Sequence, residues 1–233
     1  MLKVKIGGLQ KSSLIDYPEK ISAIVFTQGC NFRCPYCHNP ELLESNSEEH
    51  ASILTEEVLK FLKTRINKLD AVVITGGEPT LQPDLADFIK QIKDLGFLVK
   101  LDTNGTNSEL LEQLLERNLI DYVAMDIKAP IEKYSKVVGS KVDSKNILKS
   151  IELIKNSKID YEFRTTVVKS QLSPSDFELI GELIQGAKKY YLQRFVPSKT
   201  FNQNFLAEAT FSDEEFVTIG ENLKKYVTDV VLR

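Results

Sequence analysis

Six short runs of apolar and β-branched residues recur along this chain, each separated from the next by a longer stretch of helical period, and that alternation leaves few folds open. The runs are ISAIVFTQ (21–28), AVVITG (71–76), FLVKLDTNG (97–105), DYVAMDIK (121–128), DYEFRTTVV (160–168) and KYYLQRFV (189–196), and each reads as a buried strand. Between two of them, in PDLADFIKQIKDLG (83–96), Leu85, Phe88, Ile89, Ile92 and Leu95 recur at helical spacing and Gly96 supplies a stop. Further helices are expected to begin near Thr55, Ser108, Ser144 and Ser173. Parallel strands need right-handed crossovers, so strand and helix in alternation mean a parallel sheet covered by helices. Six units fall short of a standard eight-stranded barrel, which predicts an α/β fold in the form of an open, partial (β/α)6 barrel. No Pro/Gly/Ser-rich linker, repeat or low-complexity tract interrupts the chain, so residues 1–233 are expected to form a single domain. The stretch to about Pro18 and the segment PSKTFNQNFLAEATF (197–211) fall outside the repeat and read as loops or short edge elements.

Composition narrows the function. Thirty basic against 33 acidic side chains leave a formal charge of -3, with no electrostatic footprint for nucleic acid or an anionic membrane in the totals. The chain opens on no signal-peptide pattern and holds no run of 18 or more apolar residues, so a cytoplasmic protein is expected. All three cysteines, Cys30, Cys34 and Cys37, fall within eight positions, which makes a disulfide framework implausible. With only two histidines, His38 and His50, no metal site built on three histidines can form.

The cysteines sit in QGCNFRCPYCHNP (28–40), the loop after the first strand run, at C-x3-C-x2-C spacing. Thiolates this close in sequence can converge on one metal centre, and thiolate sulfur is the ligand iron–sulfur clusters require. Three cysteines for a four-iron cubane leave one iron without a cysteine, open to substrate or cofactor. Other readings compete for the same residues. Cys34-Pro-Tyr-Cys37-His38 matches the c-type haem attachment pattern, a Cys3His set would suit zinc, and buried cysteines also occur by coincidence.

Three more segments place polar groups at the ends of apolar runs, the edge where sites form in parallel α/β folds. ITGGEPT (74–80) offers two glycines for close backbone approach beside Glu78, a carboxylate able to receive an ammonium group; the bland alternative is a structural turn. In LDTNG (101–105) and MDIK (125–128), Asp102 and Asp126 are costly within strands unless paired or coordinated. They could share a cation with Thr103 as a further oxygen ligand, or cap loops, or pair with Lys128. Lys128 is either a solvated surface lysine or a binder of carboxylate, and Arg164, in EFRTT, either an ordinary ion pair or a cofactor contact.

With GGLQKSSLIDYP (7–18), GCNFRCPYCHNP (29–40), GGEPTLQ (76–82), LDTNG and MDIK in this order, the first 130 or so residues resemble the radical S-adenosylmethionine superfamily, specifically its glycyl-radical-enzyme activating proteins. The resemblance implies that Cys30, Cys34 and Cys37 are the catalytic cluster ligands of a [4Fe-4S] centre whose free iron chelates S-adenosyl-L-methionine. It further implies that Tyr36 and His38 flank the adenine, and that Gly76, Gly77 and Glu78 hold the methionyl amine. Lys128 would approach the cofactor carboxylate, with Thr103, Asn104 and Arg164 also among the cofactor contacts. Asp102, Thr103 and Asp126, with the carbonyl of Ala124, match a monovalent-cation site of the pyruvate formate-lyase activating relatives. No histidine stands near residue 195 to match one that contacts the cofactor there, which leaves Arg194 or Phe195 to fill that space.

The function so implied is an anaerobic oxidoreductase. Reductive cleavage of S-adenosylmethionine would give a 5′-deoxyadenosyl radical that removes a hydrogen from a glycine Cα in a partner glycyl-radical enzyme. Anaerobic ribonucleotide reductase is the implied partner, pyruvate formate-lyase the near alternative, and flavodoxin or ferredoxin the electron donor. Three cysteines leave none for an auxiliary cluster, and a six-unit barrel with an open side suits a glycine-bearing loop. The rivals are a radical enzyme acting on a small modified-base precursor, against which GGLQKSSLIDYP speaks, and a non-enzymatic zinc or electron-transfer module.

Overall fold

The computed structural model describes residues 2–44 and 52–233, and His50 lies outside the described residues. Among them a single eight-stranded sheet runs in chain order. Its strands are β1 (Ile6–Ser13), β2 (Ser22–Thr27), β3 (Ala71–Gly76), β4 (Leu98–Thr103), β5 (Tyr122–Asp126), β6 (Asp160–Val167), β7 (Lys189–Arg194) and β8 (Asp229–Leu232). Strand β1 pairs antiparallel with β2, and β2 through β8 are parallel throughout. The helices are α1 (Thr55–Lys63), α2 (Leu85–Asp94), α3 (Ser108–Glu116), α4 (Ile131–Val137), α5 (Ser144–Lys155), α6 (Pro174–Leu183) and α7 (Asp213–Leu223).

All six expected strands form, each followed by helix, but the sheet is longer by one strand: seven are parallel, not six, because the four-residue β8 follows α7. Too short to show a period of its own, β8 pairs with β7 from Lys189↔Asp229 to Leu192↔Leu232. The N-terminal stretch, read as loop or short edge element, contains an eight-residue strand. Two glycines and the polar run QKSS hide it in the sequence, yet it caps the open edge of β2 from Ile6↔Thr27 to Ser13↔Ser22. The segment 197–211 carries only a short 3-10 turn at Gln203–Ala207.

Alternation along each strand divides the residues between two apolar layers. Val72, Ile74, Val99, Leu101, Val123 and Met125 join the large core shared with the helices, including Phe88, Ile89 and Ile92 of α2. Their neighbours Ala71, Val73, Ile24 and Tyr122 face the concave side, where Tyr17 packs with them in a smaller cluster. Register then sets the chemistry at one rim: Thr27 lies opposite Gly76, Thr103 opposite Met125, and Asp126 opposite Arg164. No helix among the described residues is long and apolar enough to cross a membrane.

Candidate active site

The cysteine loop leaves β2 at Thr27 and is pinned by main-chain bonds at both ends. Gly29 and Cys30 N–H groups donate to the carbonyls of Leu42 and Leu43 (2.8 and 3.1 Å), and the Arg33 N–H to that of Val138 just past α4 (2.9 Å). A turn closes from the Cys37 N–H to the Cys34 carbonyl (3.0 Å). The Arg33 guanidinium folds back to donate to the Cys30 and Phe32 carbonyls at 2.7 and 2.9 Å. Six backbone and side-chain hydrogen bonds of this kind present three free thiols on a fixed loop.

Those thiols line a cavity of about 220 Å³ above the C-terminal strand ends. The same cavity is lined by Tyr36, His38, Gly76, Gly77, Glu78, Asp102, Thr103, Asn104, Asp126, Lys128 and Arg164, so the residues singled out from the sequence meet in one place. Phe32, Asn39, Leu43, Thr75 and Thr166 complete the lining. Ala124 does not reach it; it pairs with Asp102 within the β4–β5 ladder.

Glycine is required where β3 ends. Gly76 takes φ +112°, in the region favouring glycine, and a Cβ there would sit 2.5 Å from the Thr27 backbone. At Gly77 the clash is closer, 2.2 Å from the Gly29 carbonyl oxygen, because the two turns touch: the Gly77 N–H donates to Thr27 and the Glu78 N–H to Gly29 (2.9 and 2.8 Å). The buried Glu78 carboxylate then ties its own turn to the one after β4. It accepts from the Thr80 N–H and hydroxyl, from the Thr103 hydroxyl (2.7 Å) and from the Asn104 N–H (2.7 Å). Burial nonetheless raises its pKa, and those donors offset only part of the shift. Asn104 in turn donates to Asn31 of the cysteine loop at 2.9 Å.

The far wall is charged. Arg164 donates through Nε to Asp126 (2.8 Å) and through a terminal nitrogen to Asp102 (3.1 Å), while Lys128 donates to the other Asp126 oxygen at 3.0 Å. Lys100, one layer deeper, lies 3.1 Å from Asp102. Burial alone would raise the Asp126 carboxyl; Arg164 and Lys128 overcome it and hold the pKa at about 2. Asp102 is lowered in the same way, with Arg164 and Lys100 opposing burial. The alternative of a surface lysine does not describe Lys128, whose side chain is 15% exposed, and the ion-pair alternative does describe Arg164.

Sequence reasoning gave no role to the segment after β7, and the structure does. Its backbone clamps the cysteine loop: the Phe201 N–H donates to the Cys37 carbonyl (3.1 Å) and the Asn202 N–H to that of Pro35 (2.9 Å). Phe195 stacks on His38 at 5.6 Å and 11°, whereas Arg194 turns away to Phe216 and Asp213. Phe195 and Phe205 both contact the Tyr36 ring, and the Tyr36 hydroxyl beneath them is buried without a hydrogen-bond partner. Phe201 and Phe205 stand in a polar stretch without a sustained period, which gives no sequence signal for this clamp.

The donor set fits a multinuclear cluster better than its rivals. Haem and mononuclear zinc would both recruit His38, whose ring is stacked and whose Nε2 lies 3.1 Å from the Val196 carbonyl. In a cubane each thiolate would bind a different iron, so three cysteines suffice without His38. Burial pushes the Cys30 thiol up to about 12 and Cys34 to about 11, and raises Cys37, so bound metal must displace their protons.

An open parallel barrel with three clustered thiols and a charged cavity over its strand ends defines a metal-cofactor enzyme of the partial-barrel class. A family model described as the radical SAM superfamily matches residues 24–184, and the chain belongs to that superfamily and, within it, to the glycyl-radical enzyme activating family. It is 37% identical over 237 residues to a protein of Methanocaldococcus jannaschii provisionally named a glycyl-radical enzyme activating enzyme, covering 100% of this chain and 97% of that one. A pyruvate formate-lyase-activating enzyme of Clostridium pasteurianum is 34% identical over 131 residues, 55% of this chain and 54% of its own. Streptococcus suis SuiB bound to S-adenosylmethionine shares the fold at TM-score 0.67 and 13% identity, over 88% of this chain and 48% of that one. Membership implies a [4Fe-4S] cluster and S-adenosylmethionine as cofactors.

Proposed function

We propose that this chain generates a glycyl radical on a partner enzyme, anaerobic ribonucleoside-triphosphate reductase being the partner we favour. End-to-end similarity to a protein named for glycyl-radical activation carries the reading. It is supported by the SSLIDYP turn, which folds against the concave side: Lys100 donates to the Asp16 carbonyl at 2.7 Å and Tyr17 packs on Tyr122 at 5.6 Å. The chosen reductase rests on the sequence resemblance alone.

In this reading Cys30, Cys34 and Cys37 hold the cluster and leave one iron to the cofactor. When bound, the reduced cluster supplies the electron that splits S-adenosylmethionine into methionine and a 5′-deoxyadenosyl radical. The protein supplies orientation and exclusion of competing reactions. His38, covered on one face by Phe195, offers its other face to the adenine, beside Tyr36. The turn at Gly76, Gly77 and Glu78 receives the methionyl amine, Thr103 and Asn104 border it, and Lys128 faces the cofactor carboxylate. Flavodoxin or ferredoxin is the proposed reductant.

The test incubates reduced, reconstituted protein with S-adenosylmethionine and anaerobic ribonucleotide reductase, following deoxyadenosine release and a glycyl-radical resonance on the partner. Both should appear together. A radical on pyruvate formate-lyase instead would reassign the partner, and turnover only with small modified-base precursors would sink the activase reading.

A further inference from the structure

The resemblance suggests a bound monovalent cation between Asp102 and Asp126, and the side chains there do not fit one. We infer that Arg164 is the built-in cation of this site, a positioning residue whose guanidinium holds the two carboxylates in place of a metal ion.

Register explains how. Arg164 lies opposite Asp126 on the neighbouring strand, and Asp102 is one strand further, on β4. Strands stand about 4.8 Å apart, a span that an extended arginine covers. Its Nε meets Asp126 at 2.8 Å and its terminal nitrogen meets Asp102 at 3.1 Å, so one planar group bridges both. Glu162, two residues back on β6, lies 4.0 Å behind the guanidinium and is itself held by Tyr122 (2.8 Å) and Arg233 (3.4 Å).

Every side-chain oxygen expected to bind the cation is already engaged or faces a positive charge. Both Asp126 oxygens accept, from Arg164 and Lys128. One Asp102 oxygen accepts from Arg164; the other makes no hydrogen bond but has the Lys100 ammonium 3.1 Å away. The Thr103 hydroxyl donates to Glu78 and accepts from the Gly105 N–H. A hard cation takes about six oxygen ligands, and here it would enter beside three fixed positive charges facing two carboxylates.

Thermal melting of the apo-protein tests this at equal ionic strength in potassium, sodium and choline chloride, and needs neither cluster nor partner, so its outcome is independent of the activase reading. Wild type should melt at the same temperature in all three salts. Arg164→Gln should melt lower in choline and recover with rising potassium or sodium, whereas Arg164→Lys should keep the wild-type indifference. A saturable, metal-specific rise in wild-type melting overturns the inference, as does a folded R164Q that ignores the cation. Should R164Q fail to fold, the affinity of reconstituted wild type for S-adenosylmethionine decides: it should be the same in potassium and choline, and a loss of about tenfold or more in choline contradicts the built-in cation.

Discussion

Three thiols and two glycines set the site at the smallest scale. With three cysteines in the chain, no thiol is in reserve, and replacing any one of Cys30, Cys34 or Cys37 with Ala should abolish cleavage of S-adenosylmethionine, read as deoxyadenosine release; a single active mutant refutes the ligand assignment. Gly77 tests the support. Its missing Cβ is the clearance to the Gly29 carbonyl, so Gly77→Ala must push the cysteine loop away, at a cost of about 1–3 kcal/mol seen as a lower melting temperature and weaker cofactor binding. Charge sets a third expectation. Asp126 is held at about 2 against an ordinary 3.8, so its stabilisation is fully present above pH 4 and is lost as pH falls through 2. That depression is worth on the order of 2 kcal/mol, and Arg164→Gln should move acid unfolding to higher pH; an unchanged midpoint would show that the guanidinium does not set the Asp126 value. The cysteines, GGE, Asp102 and Asp126 were all legible as residues. Their engagement was not: that Arg164 bridges two carboxylates follows from strand register, which no local spacing encodes.

Elements were legible in proportion to their length and period. The ten-residue α2 and the six buried strands announce themselves, whereas the four-residue β8 and the polar, glycine-bearing β1 are strands because a neighbouring edge offers hydrogen bonds. The segment after β7 is a stronger case. It lacks periodicity, yet Phe205 is largely buried against Tyr36, and its backbone neighbours Phe201 and Asn202 bond the cysteine loop. Phe205→Ala should therefore cost about 3 kcal/mol in unfolding free energy and also weaken binding of S-adenosylmethionine to the reconstituted enzyme. Loss of stability with unaltered cofactor affinity would mean that the segment is only a cover.

At the scale of the whole molecule, the alternation of strand and helix determined a parallel sheet before any residue was assigned a role, and missed only the last strand because it is so short. Helices cover the convex face with one apolar core, and the chemistry collects on the rim where parallel strands end. The smaller concave cluster, closed by Tyr17 and bounded above by the Lys100, Asp102 and Arg164 charges, separates the cavity from the bottom of the barrel. Everything proposed for this architecture depends on one iron being left open by a three-cysteine loop. Electron paramagnetic resonance of the anaerobically reconstituted, reduced protein reads that iron directly. The account predicts a [4Fe-4S] signal that changes when S-adenosylmethionine is added; a signal that stays the same at saturating S-adenosylmethionine would contradict it.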